Sequence, residues 1–218
     1  IRQLADNTSF IKDFDLVWHN PGFVLRFPRR GHCKVDKDFS IPEKLFGVHK
    51  EYINWLDILK IDDITDLNKA IKKFQINELI QVEEALQEKQ IAGIADLIKS
   101  KTTTKIVLIA GPSSSGKTTF AKRLSIQMRV NGLIPLVIGL DDYFLPRIFS
   151  PRLPNGDYDF ESIRALDLEL LNQHLKQLLN GEEIVIPRYN FLTGNREEGE
   201  HKIRLQKNNI IVMEGIHG

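Results

Sequence analysis

The spacing of apolar residues changes along the chain, and each change predicts a different element. Residues 14–27 carry two short runs, FDLVWH and FVLRFP, on either side of Asn20-Pro21-Gly22. Brief runs flanking a turn tripeptide predict a hairpin. Beyond Pro42 the period lengthens to three or four, so that Leu45, Val48, Tyr52, Trp55, Leu56 and Leu59 fall on one side of a helix as its buried face. A shorter helix is predicted over residues 64–74. A third starts near Asn77, an acceptable cap, with Leu79, Val82, Leu86, Ile94, Leu97 and Ile98 directed inward. The polar stretch SKTTTK that follows marks a boundary between an N-terminal α+β domain over 1–100 and a second domain over 105–218.

In the second domain the pattern alternates. KIVLIA, β-branched and apolar, predicts a buried strand over 105–110; a loop of glycine and serine follows, then an amphipathic helix over 117–130 closed by Asn131-Gly132, then a strand over 134–140. This β-α-β order implies parallel strands joined by a right-handed crossover. A proline-rich loop over 145–157 leads to a helix predicted from DFESIRALDLELL to its stop at Gly181. Residues 184–206 read as a strand, a turn at Thr193-Gly194-Asn195 and a returning strand, and NNIIVME as another buried strand. The expected fold class is α/β with a mostly parallel sheet, preceded by a small α+β domain. No internal repeats or low-complexity tracts interrupt it.

Composition narrows this picture without redirecting it. A chain of 218 residues accommodates one large core or two small ones. Its 30 basic and 29 acidic residues leave a formal charge of +1, which gives no general attraction to nucleic acid or anionic membranes. The single cysteine, Cys33, excludes an internal disulfide and fits a reducing, cytoplasmic setting, and no Cys/His spacing matches a zinc site. No apolar run is long enough to span a membrane, and IRQLADNTSF lacks the features of a signal peptide. The chain starts without Met and stops at IVMEGIHG directly after an apolar run, so a fragment of a longer protein is expected.

The chemistry concentrates in the loop after the strand at 105–110. Gly111-Pro112-Ser113-Ser114-Ser115-Gly116-Lys117-Thr118 fits the phosphate-loop pattern G-x-x-x-x-G-K-[ST] in the strand, loop, helix context it needs. Its glycines let the backbone curl so that N–H groups converge on phosphate oxygens, and the following helix adds its positive end. Gly111, Ser113, Ser114, Ser115, Gly116, Lys117, Thr118 and Thr119 are therefore the candidate ATP-binding residues, with Lys117 reaching the β- and γ-phosphates and the Thr118 hydroxyl a ligand for Mg2+. A phosphate loop alone does not separate a kinase from a GTPase or a motor. The strand over 134–140 ends at Asp141-Asp142 and the last strand delivers Glu214, both to the same carboxyl edge of a parallel sheet. Asp141 there can accept a proton from a substrate hydroxyl, and Glu214 can bind Mg2+ through water. Phosphate, proton and metal chemistry at one edge point to phosphoryl transfer.

GPSSSGKTTFAKRL, LDDYF, GDYDFESIRALDLELL, IPRYNF and VMEGIHG come in the order and approximate spacing of the uridine kinase and phosphoribulokinase family of P-loop kinases, which residues 105–218 resemble. The resemblance implies that Asp141 is the catalytic base toward a nucleoside 5′-hydroxyl, that Asp159 binds ribose hydroxyls, and that Tyr189 and Phe191 line the nucleoside pocket. Two positions depart from the pyrimidine-nucleoside kinases: Phe144 stands where they carry a tyrosine, and Gly194 where they carry a histidine. Loss of those polar groups removes hydrogen bonds on which base discrimination depends. The family's arginine-bearing lid and adenine elements are expected beyond Gly218.

The first half is similar to the region preceding the kinase in longer bacterial uridine kinase-like proteins, a region related to the N-terminal part of threonyl-tRNA synthetase. Arg26, Arg29 and Arg30 form a basic patch, for which a solvated loop is preferred over an RNA contact. Adjacent His32 and Cys33 have no partner at ligand spacing, and Tyr52 and Trp55 are read as core. No activity is assigned to this half. The expected function is transfer of the γ-phosphoryl of ATP to a nucleoside hydroxyl. The alternatives are a sugar phosphate or pantothenate-like acceptor, or a nucleotide-gated RNA-binding regulator. The oligomeric state has no sequence signal.

Overall fold

The computed structural model describes residues 7–10, 12–20, 22–29, 31–36 and 38–218. Pro21 of the expected turn and Arg30 of the basic patch lie outside them. The chain divides into two compact units between Gln75 and Ile76.

In the first unit the short apolar runs pair as an antiparallel hairpin, β1 (Asp15–His19) with β2 (Gly22–Arg26). Two helices follow, α1 (Glu43–Leu59) and α2 (Ile64–Lys72), the latter capped by the Asp63 side chain, which accepts from the Asp66 N–H at 2.9 Å. The helices sit where the periodicity predicts them, but the expected buried face of α1 is not buried. Leu45, Val48 and Tyr52 are exposed, and Trp55, Leu56 and Leu59 are half-buried. Among the described residues of this unit, the hairpin and α2 offer too little facing surface to cover a helix of this length.

The second unit begins with α3 (Ile76–Ser100). Here the structure departs from the boundary expected at SKTTTK: α3 packs on α4 (Lys117–Val130), with Ile91, Ala95 and Ile98 against Ala121, Leu124 and Met128. The stripe turned inward also differs, since Ile94 and Leu97 remain exposed. The face containing Ala95 lets the two helices approach closely, and the competing stripe offers only bulkier side chains.

Between these helices runs β3 (Ile106–Ala110), and after α4 comes β4 (Ile134–Gly139). Farther along lie α5 (Leu168–Leu179), the short strands β5 (Glu183–Val185), β6 (Arg188–Asn190), β7 (Asn195–Glu197) and β8 (Lys202–Arg204), and finally β9 (Asn209–Gly215). The sheet is parallel in the order β3-β9-β4, so the last strand enters between the first two. Alternate residues of β9 feed opposite faces. Ile210 and Val212 join the α3/α4 core, while Ile211 and Met213 join a second core with Ile138, Leu140, Tyr143, Leu171 and Leu178.

Two expectations in this region are corrected. The helix predicted from Asp159 begins only at Leu168. Its N-cap Asp167 accepts from the Leu170 N–H at 3.0 Å, and the preceding segment forms a 3-10 turn, Ile163–Ala165. Leu145 N–H donates to Ala165 and Asp167 N–H to Tyr143, both at 2.8 Å, so tertiary backbone pairing displaces the helix there. The expected hairpin over 184–206 is split into two ladders, β5 with β8 and β6 with β7. Pro187, without an N–H, interrupts the first strand between them. No described helix is long and apolar enough to cross a membrane.

Candidate active site

Parallel pairing brings three strand ends to one edge. Ala110 stands opposite Gly215 and Gly139 opposite Glu214, so the loop after β3, the end of β9 and the turn after β4 converge. The phosphate loop runs from Gly111 into α4, and Gly116, the N-cap, has φ +84°, a left-handed conformation that glycine adopts without strain. First-turn N–H groups of a helix have no intrahelical acceptors, so they are free for an anion. Ser113, Ser114, Ser115, Thr118 and Thr119 are exposed around this opening. The Lys117 ammonium donates to the Pro112 carbonyl at 2.7 Å, folded over the loop it would share with phosphate.

Thr118 and Glu214, far apart in sequence, meet directly: the Thr118 Oγ1 hydroxyl donates to Glu214 Oε1 at 2.7 Å. A hydroxyl and a carboxylate are hard oxygen donors of the kind Mg2+ takes while keeping most of its waters. The pair therefore fits the ion expected from sequence. Among the described residues no group of three or more His, Cys, Asp and Glu side chains forms a complete protein cage for a metal.

Asp141 and Asp142 occupy a 3-10 turn, Leu140–Tyr143, directly after β4. Burial pushes the Asp141 carboxyl above the usual carboxylate range, and the charges of Glu214 and Asp142 push it further, against the opposing pull of Lys117 and His217. Lys117, Thr118, Asp141 and Glu214 thus share one electrostatic neighbourhood. Burial also raises Asp142, whose Oδ1 accepts from the Tyr189 N–H at 3.3 Å and so ties the β4 turn to β6. Beneath, the Tyr143 phenol is pushed up to about 12 by burial and Asp142, and it pairs with His174 Nδ1 at 3.0 Å.

Beside the carboxylates lies an aromatic cluster. Phe144 meets Phe160 and Tyr189 edge-on with centroids 5.5 Å apart in each case, and Tyr189 meets Phe191 at 5.0 Å. Tyr189 and Phe144 are buried, so they form its floor, while Phe191 presents its ring outward. Asp159 adjoins the cluster through its neighbours Tyr158 and Phe160, and its Oδ1 accepts from the Glu161 N–H at 3.2 Å.

Sequence reasoning missed Arg147 and His217. Arg147 donates from Nη2 to the Phe191 carbonyl at 2.7 Å, and its Nε would lie 2.7 Å from any Cβ at Gly194. The hairpin position that lacks a polar side chain is thus covered by a guanidinium from the proline-rich loop, where neither spacing nor charge pattern marks it. His217, in VMEGIHG, faces Asp141 electrostatically and keeps a buried Nε2 without a partner. A lone histidine after a strand carries no distinguishing pattern.

A model of the phosphoribulokinase / uridine kinase family matches residues 106–218. The uridine kinase of Macrococcus caseolyticus is 36% identical over 121 residues, covering 54% of this chain and 54% of that protein. That of Schizosaccharomyces pombe is 34% identical over 114 residues, covering 51% of this chain and 24% of that protein. This chain therefore spans about half the length of the bacterial relative and about a quarter of the yeast one. Among solved structures, a possible uridine kinase from Bacillus stearothermophilus shares 26% identity with a TM-score of 0.49, over 58% of this chain and 70% of that one. The family match spans more than half of the chain and contains every strand end that meets at the carboxyl edge. This chain belongs to the phosphoribulokinase / uridine kinase family.

Proposed function

We propose that this chain carries the catalytic half of an ATP-dependent kinase whose acceptor is a hydroxyl of a ribose-bearing nucleoside. The observation that carries the reading is the junction of Thr118 with Glu214 at 2.7 Å beside Asp141 and Lys117. In this reading the loop and the first turn of α4 hold the phosphates. Lys117 leaves its Pro112 carbonyl to neutralise charge on the transferring group. Asp141 removes the proton from the acceptor hydroxyl, whose oxygen forms the new bond to phosphorus as the bond to the bridging oxygen of ADP breaks. Its raised proton affinity suits a base working near neutral pH better than an ordinary carboxylate would. Thr118 and, through water, Glu214 would hold Mg2+, which when bound would add positive charge to neutralise the phosphates.

Asp159 would bind ribose hydroxyls, with the Phe191 ring and the buried Tyr189 forming the wall and floor of the base pocket. Phe144, packed inside the aromatic cluster, carries no donor or acceptor on its ring, and Gly194 has no side chain, so neither offers the base a side-chain hydrogen bond. Two neutral hydrogen bonds lost, at about 0.5–1.5 kcal/mol each, lower affinity for uridine by roughly one or two factors of ten. The reading includes a cytoplasmic setting and a small-molecule partner, with no activity in residues 1–100. Its test is kcat/KM of the intact protein for uridine, cytidine, adenosine, guanosine and inosine at saturating ATP. Ribonucleosides are expected as acceptors with weak discrimination among bases. A pyrimidine preference of about a hundredfold or more would mean that other residues read the base.

A further inference from the structure

The turn between β6 and β7 stands beside the aromatic cluster, and its own polar side chains are committed to one another. The Asn190 amide donates to Glu197 at 2.7 Å and its Oδ1 accepts from the Leu192 and Thr193 N–H groups, while the Thr193 hydroxyl bonds the Asn190 carbonyl and the Asn195 N–H. These groups serve the hairpin. Arg147 reaches the same turn from the proline-rich loop, its backbone N–H donating to the Gly194 carbonyl and its Nη2 to the Phe191 carbonyl, both at 2.7 Å. A Cβ at position 194 would stand 2.8 Å from the Arg147 Cζ, so glycine there lets the guanidinium rest against the turn. Among the described residues no carboxylate pairs with Arg147, and a single bond to a carbonyl leaves most of its N–H groups for a ligand.

The exposed Phe191 ring, with the buried Tyr189 ring edge-on to it, gives a base a surface to lie on beside this guanidinium. The polar groups that can meet the edge of that base differ in kind. The Tyr189 hydroxyl, buried and without a partner, can both donate and accept, so it suits an oxo group or an amino group equally. A guanidinium only donates. Held in place by Phe191, it can pair with two adjacent acceptors on one edge of a ring, and an amino group at that edge opposes it donor to donor. We propose that Arg147 reads the base of the acceptor and favours a 6-oxopurine ribonucleoside, guanosine or inosine, whose O6 and N7 form such an edge, over adenosine. The inference rests on the reading of the acceptor as a ribonucleoside.

The test is kcat/KM of the intact protein, with ATP and Mg2+ saturating, for inosine, adenosine and 7-deazainosine, which keeps O6 and lacks the N7 acceptor. The wild type is expected to prefer inosine to each of the other two by about tenfold, the scale of a hydrogen bond to a charged donor. Arg147→Lys keeps the charge and loses the two-pronged geometry, so both ratios should fall to within about threefold. Wild-type ratios already within about threefold overturn the proposal and leave the ribonucleoside reading standing. That comparison holds whether or not the variant folds. A variant that loses activity toward all three by the same factor, with the ratios kept, also overturns it, because Arg147 then only holds the hairpin. Phosphorylation of no ribonucleoside overturns both readings together.

Discussion

Residues 76–218 and the unit before them use apolar residues in opposite ways. In the second unit β9 is buried from Ile210 to Met213, with helices and loops covering both faces of the sheet. In the first, among the described residues, Ala70 alone is buried. There Leu16 stands opposite Leu25 and Trp18 opposite Phe23 on one face of the hairpin, and all four are exposed. The patterns in the two regions look equally ordered in sequence. Periodicity names the face that avoids water; it does not say whether the same unit contains the surface that covers it.

Substitutions should separate the two regions in order of effect. Leu124→Ala, at the junction of α4 with α3 and the sheet, should cost about 2–5 kcal/mol in denaturant unfolding of the second unit. A loss below about 1 kcal/mol would mean that the α3/α4 contact contributes little there. Asp167→Ala should cost about 1–2 kcal/mol, because it removes the α5 cap and the 2.6 Å ion pair with Arg196. Although burial alone would raise the Asp167 carboxyl, Arg196 and the Leu170 N–H hold it below its usual value. Its stabilisation is therefore present above the unfolded-state value and fades as pH falls through the folded one, so variant and wild type should converge in acid. Trp18→Ala should have the smallest effect, at most about 1 kcal/mol, the size of a cross-strand pair with Phe23. A larger loss would break the contrast, because it would place Trp18 in a stabilising core.

The same contrast governs what could be read in advance. The helix over 117–130 and the strands beside it have the boundaries expected from sequence to within a residue, because a glycine-rich loop, an Asn-Gly stop and β-branched runs are local signals. The convergence of Thr118, Asp141 and Glu214 was also legible, since parallel topology sends strand ends to one edge. Where long-range pairing decides, the local pattern failed. Ser162 to Leu166 carry helical spacing, yet backbone bonds from Leu145 to Ala165 and from Asp167 to Tyr143 prevail. SKTTTK has linker composition but lies inside a unit, because burial of Ala95 against α4 is set by tertiary approach. Arg147 reaches Phe191 across 44 residues, and no motif announces such a contact.

The account stands on the carboxyl edge as a phosphoryl-transfer site with Asp141 as its base, and Asp141→Asn in the intact protein tests it most directly. Turnover is expected to fall by roughly 10²–10⁴ with ATP affinity retained. The wild-type rate should lose activity as pH falls through a value above the ordinary carboxylate range, since burial and the Glu214 charge raise Asp141. A raised folded-state value favours the protonated form. The cost of the charge is therefore absent below the unfolded-state value and grows as pH rises to the folded one, so the variant should be at least as stable as the wild type at neutral pH. A variant that keeps more than about a tenth of the wild-type kcat would contradict the account, because removing a general base costs at least about a hundredfold.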